Sequence, residues 1–512
     1  MSDLTLTSRG LTLKDVVEVA RNFTNVTLSD EVLDRVKEAR LAVDRAVTEG
    51  KVVYGINTGF GALSDKIISR KDIEKLQRNL LLSHSAGVGE PLDSETVRAL
   101  MLLRANTLAK GYSGISQETL ELIVRMLNER IHPIVPSKGS VGASGDLAPL
   151  AHVALALIGE GKVQFKGRVM RSDEALASAN LKPVRLGSKE GLALINGSQL
   201  MTSIGTLVVY DSENLLKASQ IATSLSLEAL NGREDPFDKR IHTVRPHKGQ
   251  IDVAENILKI VHGSRITSDL TNKRVQDAYS LRCSPQVIGA SKDAIEYARR
   301  VIEVEINSAT DNPLIFADHD EILSGGNFHG QPVAIAMDLL TIALCNVGNI
   351  CERRIARLTD EKLSEGLPAF LVKKHGEEGV SSGFMIAQCT AASLTAENRC
   401  LSNPSSVNSI PTSANQEDHV SMGLTAASKA RQVLRNTEYI VAIELLCGVQ
   451  GLEFRGVEKS GPGTSEAYRS VRRVAPSLEE DAELAPLIEA VAGIIHKGEL
   501  VDEVERKIGR LN

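Results

Sequence analysis

The sequence predicts a mainly α-helical fold, in which a long central helical bundle follows an N-terminal, loop-rich part. Three observations predict it. Only 3% of the 512 residues are aromatic and none is Trp, so the core must consist of Leu, Ile, Val and Ala. Apolar residues recur at helical spacing over long stretches. Strand-like alternation is confined to two short segments, which predict two hairpins at most.

In the N-terminal part, predicted helices alternate with loops rich in glycine. Residues 29–49 start with Ser-Asp and then carry apolar residues at helical spacing, which predicts an amphipathic helix. Residues 70–83 and 94–109 predict two further helices. Between the helices predicted over 29–49 and 70–83, three glycines in VVYGINTGFGALS (52–64) interrupt the periodicity and predict a loop. Residues 139–152, GSVGASGDLAPLAH, place the densest group of small residues directly before another predicted helix.

The second part of the chain predicts the bundle itself. Long helices are predicted over 331–358, 381–402 and 419–454, with small and apolar residues on several faces, as in the central helices of a bundle. The two possible hairpins are residues 163–171 and 313–323. No linker or low-complexity tract divides the chain. We predict two parts, residues 1–200 and 201–512, with a soft boundary between them.

Charge and composition narrow the class of protein. Lys and Arg number 59 and Asp and Glu 65, a formal charge of −6, which argues against a nucleic-acid partner. The N-terminus lacks the apolar region of a signal peptide. The longest uncharged run, 191–210, is interrupted by Asn196, Gly197, Ser198, Gln199, Thr202 and Ser203, which predicts a buried helix or loop rather than a membrane span. Six cysteines without a C-x-x-C pair predict buried free thiols. We therefore expect a soluble cytoplasmic protein with no membrane partner.

Several common catalytic motifs are absent from the sequence. No glycine-rich segment has the G-x-x-x-x-G-K-[ST] order of a phosphate loop. The G-x-S-x-G pattern of a nucleophile elbow fails at Gly142-Ala-Ser-Gly-Asp, where Asp146 replaces the second glycine. The eleven histidines show no H-E-x-x-H or similar ligand spacing, so no metal site is predicted.

The tripeptide Ala143-Ser144-Gly145 allows a less common chemistry. If the loop is compressed, the Gly145 amide nitrogen can attack the Ala143 carbonyl carbon and close a five-membered ring. Glycine suits the attacking position because it adds no side chain to the approach. Loss of water from the ring and from the Ser144 hydroxyl leaves an exocyclic methylidene. The product is a conjugated imidazolone, a carbon electrophile that no ordinary side chain provides.

This segment resembles the prosthetic-group motif of the aromatic amino acid ammonia-lyases, whose cofactor is 4-methylidene-imidazole-5-one. The resemblance extends from about residue 50 to residue 450. It is carried by YGINTGFG (54–61), LQRNLLLSHSAGVGEPL (76–92), EGLALINGSQ (190–199), SDL (268–270), VQDAYSLRCSPQV (275–287), DNPLIF (311–316), SGGNFHGQPVA (324–334) and PTSANQEDHVSM (411–422). It implies a carbon–nitrogen lyase whose cofactor forms autocatalytically from Ala143-Ser144-Gly145, with no metal and no diffusible cofactor. It also implies a homotetramer in which three subunits share each active site.

The resemblance implies roles for individual residues in eliminating ammonia across Cα–Cβ. The base that removes the β-proton is Tyr54, whose phenol must either ionise more easily than a free Tyr or be coupled to a neighbour. Arg282 binds the substrate carboxylate with its planar fork. The remaining implied residues are Asn196, Gln276 and Tyr279, which donate hydrogen bonds to the imidazolone oxygen, and Phe328, which packs at the site.

Two positions indicate the substrate. The Ser83-His84 pair and Glu417 in Gln416-Glu417-Asp418-His419 resemble the histidine-specific pattern of the family. An imidazole ring has a donor and an acceptor, and leaving them unpaired in an apolar pocket costs about 1–3 kcal/mol each. We therefore interpret the protein as an enzyme of histidine catabolism that converts L-histidine to urocanate and ammonia, with Glu417 as a catalytic residue and His84 binding the ring.

Two alternatives remain at this point. One is a tyrosine or phenylalanine ammonia-lyase or a 2,3-aminomutase of the same family. The other is a helical scaffold in which Ala143-Ser144-Gly145 never cyclises. One departure from the family pattern is Ala278, which stands where a Pro often precedes the tyrosine. A loop without this Pro loses a rigid φ angle, but we expect activity to be retained.

Overall fold

The structure, a computed structural model, describes residues 3–269, 271, 273–374 and 379–512. Within these ranges the chain forms twenty α-helices and nine short strands, which confirms the predicted mainly α class. The helices are α1 (Leu13–Asn22), α2 (Asp30–Thr48), α3 (Ile73–His84), α4 (Ser94–Ala109), α5 (Gln117–Asn128), α6 (Leu147–Leu157), α7 (Ser172–Ser178), α8 (Glu190–Ile195), α9 (Gln199–Ala229), α10 (Lys239–Thr243), α11 (Lys248–Val261), α12 (Arg265–Ser268), α13 (Tyr279–Arg282), α14 (Ser284–Glu305), α15 (Gln331–Thr359), α16 (Met385–Leu401), α17 (Gly423–Arg455), α18 (Pro462–Val474), α19 (Ala485–His496) and α20 (Glu499–Ile508). The strands are β1 (Leu4–Leu6), β2 (Val26–Leu28), β3 (Val88–Pro91), β4 (His132–Pro133), β5 (Pro136–Lys138), β6 (Lys162–Phe165), β7 (Arg168–Arg171), β8 (Leu314–Phe316) and β9 (Glu321–Leu323).

The strands form four small sheets. The two predicted hairpins are present as β6–β7 and β8–β9, both antiparallel, and β4 extends the first of them. The pairing of β3 with β5 and the parallel pairing of β1 with β2 were not predicted. These strands have two to four residues each, too few for a period of two to stand out from the sequence.

The chain folds as two compact units. Unit 1 contains residues 1–208, 299–338 and 404–428, and unit 2 contains 209–298, 339–403 and 429–512. The predicted parts, 1–200 and 201–512, are each continuous in sequence, whereas neither unit is. The reason is that the chain passes from one unit to the other within long helices, including α9, α15 and α17, so the sequence carries no linker at these points.

In unit 1, a small apolar cluster anchors the loop that follows α2. Ala39, Ala42 and Val43 of α2 pack with Ile56 of that loop and Ile315 of β8, and all five side chains are buried. The loop is therefore ordered over the predicted segment 52–64, and it ends in a short 3₁₀ turn that begins at Gly61. This cluster fixes the backbone on either side of Tyr54.

In unit 2, the helices are joined by a fully buried ion pair. The guanidinium of Arg354 on α15 donates to both carboxylate oxygens of Glu444 on α17, with 2.9 Å between Nη2 and Oε2. Ser226 of α9 donates to the same carboxylate over 2.7 Å. Three long helices are thus connected through one carboxylate, as a paired buried charge requires.

All six cysteines are free. Cys345, Cys351 and Cys447 are buried, and burial raises the pKa of each of these thiols. Cys389 and Cys400 on α16 are exposed in this chain, so the prediction of buried thiols is wrong for these two, because both lie on an outward face of the helix.

One helix in the described part of the chain, α15, is long and apolar enough to cross a membrane by length and composition. Of its most apolar 18-residue window, 72% is buried inside the protein, as expected of a core helix. The uncharged run 191–210, by contrast, is divided between α8, a turn and the start of α9.

Candidate active site

A cavity of about 1180 Å³ lies within unit 1. Its walls come from the loop after α2, one face of α3, the start of α6 and the loops that precede α15 and α17. Seven residues predicted from the sequence line it: Tyr54, His84, Ala143, Ser144, Asn196, Phe328 and Glu417. The eighth, Gly145, is joined to the lining residue Ser144. The fold therefore brings together segments that are far apart in the sequence.

The Ala143-Ser144-Gly145 loop is held by the turn between α8 and α9. The Gly197 N–H donates to the Ser144 carbonyl over 3.3 Å, and the Asp146 N–H donates to the Gly197 carbonyl over 2.7 Å. Gly197 thus binds the backbone on both sides of Gly145 in a parallel bridge. These two backbone hydrogen bonds fix the loop on both sides of Gly145.

Gly145 occupies a position that excludes any side chain. Its φ is +73°, and a Cβ there would lie 2.0 Å from the carbonyl oxygen of Gly197. Gly142 is similarly confined, at φ +70°, with the Ser421 hydroxyl 2.2 Å from its ideal Cβ position. A side chain is excluded at Gly145 by the backbone of Gly197 and at Gly142 by the side chain of Ser421. The cluster of small residues thus marks a place where other atoms come close to the backbone.

The residue after the tripeptide, Asp146, has a buried carboxyl that connects the loop to Ser140 and to the start of α9. Ser140 donates to Asp146 Oδ1 over 2.7 Å, and the Met201 backbone N–H donates to Oδ2 over 2.9 Å. Burial raises the pKa of Asp146 to about 6, against these hydrogen bonds, which lower it. In the sequence, Asp146 stands out only because it replaces the second glycine of a nucleophile elbow, and its contacts with Ser140 and Met201 could not be predicted.

Ser144 points into the cavity and contacts Glu417. The Ser144 hydroxyl donates to Glu417 Oε1 over 2.7 Å, and the Thr412 hydroxyl donates to Oε2 over 2.7 Å. Backbone hydrogen bonds between Thr412 and Glu417 close the turn that carries this carboxylate. Thr412 thus holds Oε2 while Oε1 of Glu417 contacts the tripeptide.

Tyr54 also lines the cavity. Its phenolic oxygen accepts a hydrogen bond from the Gly61 N–H over 3.3 Å. Burial raises the pKa of Tyr54 above its ordinary value of 10, the Gly61 hydrogen bond lowers it, and the charges of Glu417 and Asp311 raise it further. Within the single chain the phenol is not easily ionised, because burial and the negative charges of Glu417 in the cavity wall and of the buried Asp311 disfavour a further negative charge on Tyr54.

Asn196 is oriented by a buried charge pair. Its amide nitrogen donates to Asp311 Oδ1 and to the Asn312 carbonyl, both over 3.2 Å. Asp311 in turn pairs with Lys189 over 2.8 Å, and both side chains of this pair have no exposed surface. Both N–H groups of Asn196 are engaged, so in this arrangement it presents an acceptor to the cavity. In this arrangement Asn196 does not donate a hydrogen bond into the cavity, as the predicted role requires.

The Ser83-His84 pair lies at the C-terminal end of α3, facing the cavity. The Ser83 hydroxyl lies 3.0 Å from Nδ1 of His84. Burial lowers the pKa of His84, while the Leu80 carbonyl and the charge of Glu417 raise it. The net lowering keeps the imidazole neutral at pH 7, able to donate at one nitrogen and accept at the other.

Two histidines not assigned from the sequence also line the cavity. The rings of His329 and His419 stack with centroids 5.7 Å apart and an interplanar angle of 13°. His329 Nε2 lies 3.1 Å from the His419 carbonyl oxygen. The adjacent Phe328 is half-buried. Both histidines fall inside the sequence blocks GGNFHG and QEDH, which was the available signal.

Three predicted residues are not among those that line this cavity. Gln276, Tyr279 and Arg282 belong to unit 2, where Gln276 is exposed and Tyr279 is 70% exposed. The Arg282 guanidinium lies 4.4 Å from the centre of the Tyr279 ring, and its Nε donates to the Asp277 carbonyl over 3.0 Å. Ala278 adopts φ −63°, the value that a proline would impose, so the backbone keeps that geometry without it.

In the part of the chain that the structure describes, no group of three or more His, Cys, Asp or Glu side chains is placed to hold a metal ion.

The chain is similar in sequence and in structure to known proteins. A family model described as aromatic amino acid lyase matches residues 11–473. The histidine ammonia-lyase of Alkaliphilus oremlandii is 53% identical over 508 residues, 99% of each chain. Among solved structures, histidine ammonia-lyase from Trypanosoma cruzi is 40% identical with a TM-score of 0.92, covering 99% of this chain and 96% of that one. Tyrosine aminomutase from Streptomyces globisporus is 39% identical with a TM-score of 0.94, with full coverage of both chains (100% and 100%).

Proposed function

We propose that this chain, which belongs to the aromatic amino acid lyase family, eliminates ammonia from L-histidine to give urocanate. Membership of this family and the 53% identity to a histidine ammonia-lyase support an ammonia-lyase over the non-catalytic scaffold. The observation that carries the choice of substrate is the position of Glu417. Its carboxylate is 2.7 Å from the Ser144 hydroxyl and shares the cavity with His84. These two polar groups match the donor and acceptor of an imidazole ring.

The tripeptide fits the prosthetic group of this family, 4-methylidene-imidazole-5-one. The fit is supported by the cradle around Gly145, which a Cβ would fill, and by the Ser144 hydroxyl facing the cavity. Ala143, Ser144 and Gly145 would form the group, and Gly197 and Asp146 would hold it through the contacts already described. Once formed, the group supplies a carbon electrophile for the substrate amine.

Tyr54 is the proposed base for the β-proton. Its oxygen lies on the cavity wall and receives the Gly61 N–H, a hydrogen bond that stabilises the phenolate. Burial and the charges of Glu417 and Asp311 act in the other direction. Tyr54 is therefore mostly protonated at neutral pH, and its proton must leave through coupling to a neighbouring group as the substrate binds.

The substrate ring is bound by Glu417 and His84. Glu417 accepts a hydrogen bond from the ring N–H, and the neutral His84 bonds the other ring nitrogen. An aromatic side chain without ring nitrogens would leave both protein groups unpaired. Each unpaired buried group costs about 1–3 kcal/mol, which disfavours phenylalanine by one or two orders of magnitude per group.

The carboxylate of the substrate would be bound by a neighbouring subunit. We propose a homotetramer in which Gln276, Tyr279 and Arg282 of another copy complete each cavity. The exposure of Gln276 and Tyr279 in the single chain supports this proposal. So does α15, where the apolar side chains of Ile335, Leu339 and Ile342 follow one helical face and are 36–47% exposed. The free thiols support a reducing compartment, and we propose the cytoplasm.

The test is an ultraviolet assay for urocanate with L-histidine, run beside L-tyrosine and L-phenylalanine. Rapid formation of urocanate, with the other two amino acids inert and with loss of activity after borohydride treatment, is expected. Cinnamate or coumarate would overturn the substrate. A β-amino acid product would assign the aminomutase reaction, which the similar fold of the tyrosine aminomutase shows this scaffold can support.

A further inference from the structure

Arg104 is a buried cation with no role in the proposed reaction. It lies in α4 and is 1% exposed, one of two arginines, with Arg98, that are buried in this largely apolar helix. Its guanidinium donates to the Asn196 carbonyl over 2.9 Å and to Gln199 Oε1 over 2.6 Å, and it also donates to the Ala193 carbonyl. All three acceptors belong to the end of α8 and the turn that follows it. One side chain therefore fixes the course of residues 193–199.

This turn is the one that grips the tripeptide. Gly197 lies between two of the acceptors of Arg104, and a Cβ on Gly197 would be 2.7 Å from the guanidinium Nη1. On its other side, Gly197 binds the Ser144 carbonyl and the Asp146 N–H. Arg104, Gly197 and the Gly145 backbone are thus stacked in direct contact, with no side chain between them.

We propose that Arg104 is the positioning residue for formation of the prosthetic group, holding Gly197 firmly enough that the loop stays compressed until the ring closes. This inference rests on the proposed function, because it concerns the maturation of the same site. Arg104 does not touch the cyclising atoms, and it acts through the backbone of residues 196–199.

The step it assists balances without an external reagent. A bond forms between the Gly145 nitrogen and the Ala143 carbonyl carbon. The Ala143 oxygen leaves as water with the hydrogens of the Gly145 and Ser144 amides, which leaves a C=N bond. A second water takes the Ser144 hydroxyl and the Ser144 Cα hydrogen, which leaves the methylidene. The mature chain is lighter by two water molecules, and no oxidant is needed.

The guanidinium is required for its shape as well as its charge. Its planar fork reaches three acceptors that lie in different directions, whereas a lysine ammonium at the same position could satisfy fewer of them. An Arg104→Lys chain keeps the buried positive charge near Asp311 but loses the fork. The turn then has room to relax, and a displacement of roughly 1 Å at reacting atoms can slow a reaction about 100-fold.

Helix α4 also provides a matched control. Arg98, like Arg104, is 1% exposed, and it donates to the carbonyls of Val19 and Leu127, which lie outside the cavity lining. Burial lowers the pKa of both arginines to about 10. Arg98→Lys therefore makes the same change in the same helix, without touching the turn that carries Gly197.

The experiment measures the intact mass of the purified, folded wild-type, Arg104→Lys and Arg98→Lys chains at fixed times after expression. Wild type and Arg98→Lys should show the full loss of two waters. In Arg104→Lys, the rate of that loss should fall about 100-fold. Full and equally fast maturation of a folded Arg104→Lys chain would overturn the proposal. A wild-type chain that never loses two waters would instead overturn the proposed function.

A second variant covers the case in which Arg104→Lys does not fold. Gln199→Met removes one acceptor of Arg104 and the donor to Thr107 and Thr310, while keeping the arginine and the volume of the side chain. We expect slower loss of water, with a rate between those of wild type and Arg104→Lys. A folded Gln199→Met chain that matures at the wild-type rate would contradict the role of this turn.

Discussion

The hydroxyl of Ser144 donates a hydrogen bond to the carboxylate of Glu417, 2.7 Å away in space and 273 residues away in the sequence. Thr412 holds the second carboxylate oxygen at the same distance of 2.7 Å. The residue proposed to become the electrophile and the residue proposed to bind the substrate ring are therefore positioned against each other before any ligand enters. The Ser144 hydroxyl leaves as water when the group forms, so this contact belongs to the chain before maturation, and Oε1 of Glu417 can afterwards accept the ring N–H of the substrate.

Glu417→Gln should reduce kcat/KM for L-histidine. The variant keeps the shape of the side chain but removes the charge that accepts the ring N–H. Hydrogen bonds to charged groups contribute about 1.5–3 kcal/mol, so we expect a fall of about 10- to 150-fold in steady-state assays of urocanate formation. Asp418→Asn changes a carboxylate in the next position of the same lining and should have a smaller effect. Equal losses in the two variants would argue that net charge, and not the position of Glu417, matters.

His84→Leu should weaken selectivity for histidine. The neutral imidazole of His84 is replaced by an apolar group, which leaves one nitrogen of the substrate ring unpaired. The unpaired nitrogen costs about 1–3 kcal/mol, so we expect kcat/KM for L-histidine to fall roughly 5- to 150-fold. The kcat/KM for L-phenylalanine should rise or stay unchanged. Ser83→Ala removes the contact to His84 Nδ1 and a hydrogen bond to the Leu80 carbonyl but keeps the His84 ring, and it should have a smaller effect. An unchanged ratio of the two substrates in His84→Leu would remove His84 from the specificity argument.

The helices were predictable where local signals and tertiary contacts agree. The helix predicted over 94–109 is α4, Ser94–Ala109, and its start is capped by the side chain of Asp93. The helix predicted from residue 419 begins only at Gly423. Met422 has φ +56° and its N–H donates to the Val141 carbonyl, so a contact with the prosthetic loop overrides the apolar periodicity. Nothing local in the sequence announces that contact.

The site was predictable in its motifs but not in its supports. Tyr54, Ser144 and Glu417 stand in recognisable blocks, and the fold brings them to one cavity. Arg104 and Lys189 carry no such signal, because their partners lie 92 and 122 residues away. A charge among the apolar residues of α4 is the one local sign that Arg104 is buried, and Arg98 in the same helix shows it too. Gln276, Tyr279 and Arg282 stand in an equally recognisable block, but they do not line the cavity of their own chain.

The activity should rise with pH from neutral into the alkaline range. Burial and two carboxylates raise the pKa of Tyr54 above 10, so less than about 1% of the base form is present at pH 8, and this fraction grows about tenfold per pH unit. Glu417→Gln removes one of the charges that raise this pKa, and its residual rate should increase at lower pH than that of wild type. The measurement is the pH profile of kcat/KM for both proteins, with Tyr54→Phe as the control that lacks the base. A flat profile from pH 7 to about pH 10 would show that ionisation of Tyr54 is not limiting.

The stability of the protein should fall as the pH rises from about 4.5 to about 7, through Glu228. Burial raises the pKa of this carboxyl from 4.5 to about 7, against hydrogen bonds from the Gly461 N–H, 2.8 Å from Oε1, and from Thr464 and Ser264, which lower it. Between these pH values the folded chain holds a proton that the unfolded chain has lost, so the free energy of unfolding decreases by up to about 3 kcal/mol.

Glu228→Gln should remove this dependence. The amide is neutral at every pH and can still accept from Gly461. Its thermal unfolding temperature relative to wild type should therefore be higher at pH 8 than at pH 5. Glu121→Gln, at an exposed position on α5, serves as the control and should shift the unfolding temperature equally at both pH values. A constant difference between Glu228→Gln and wild type across this range would contradict a buried, protonated Glu228.

Gly145→Ala should block maturation, although the alanine amide could attack the Ala143 carbonyl as well as the glycine amide does. The obstacle is spatial, because the new Cβ would lie 2.0 Å from the Gly197 oxygen and would push the loop away from the turn that compresses it. The control is Gly167→Ala, in the turn between β6 and β7. Gly167 has φ +75°, close to the +73° of Gly145, but nothing lies within 4 Å of its Cβ position. Both variants bear the strain of an alanine at positive φ, about 1 kcal/mol, and only Gly145→Ala meets backbone. We expect intact mass to show the loss of two waters in Gly167→Ala and not in Gly145→Ala, because contact with Gly197, and not backbone strain alone, decides whether the ring can close. Full loss of two waters in Gly145→Ala would mean that the loop cyclises without this close approach.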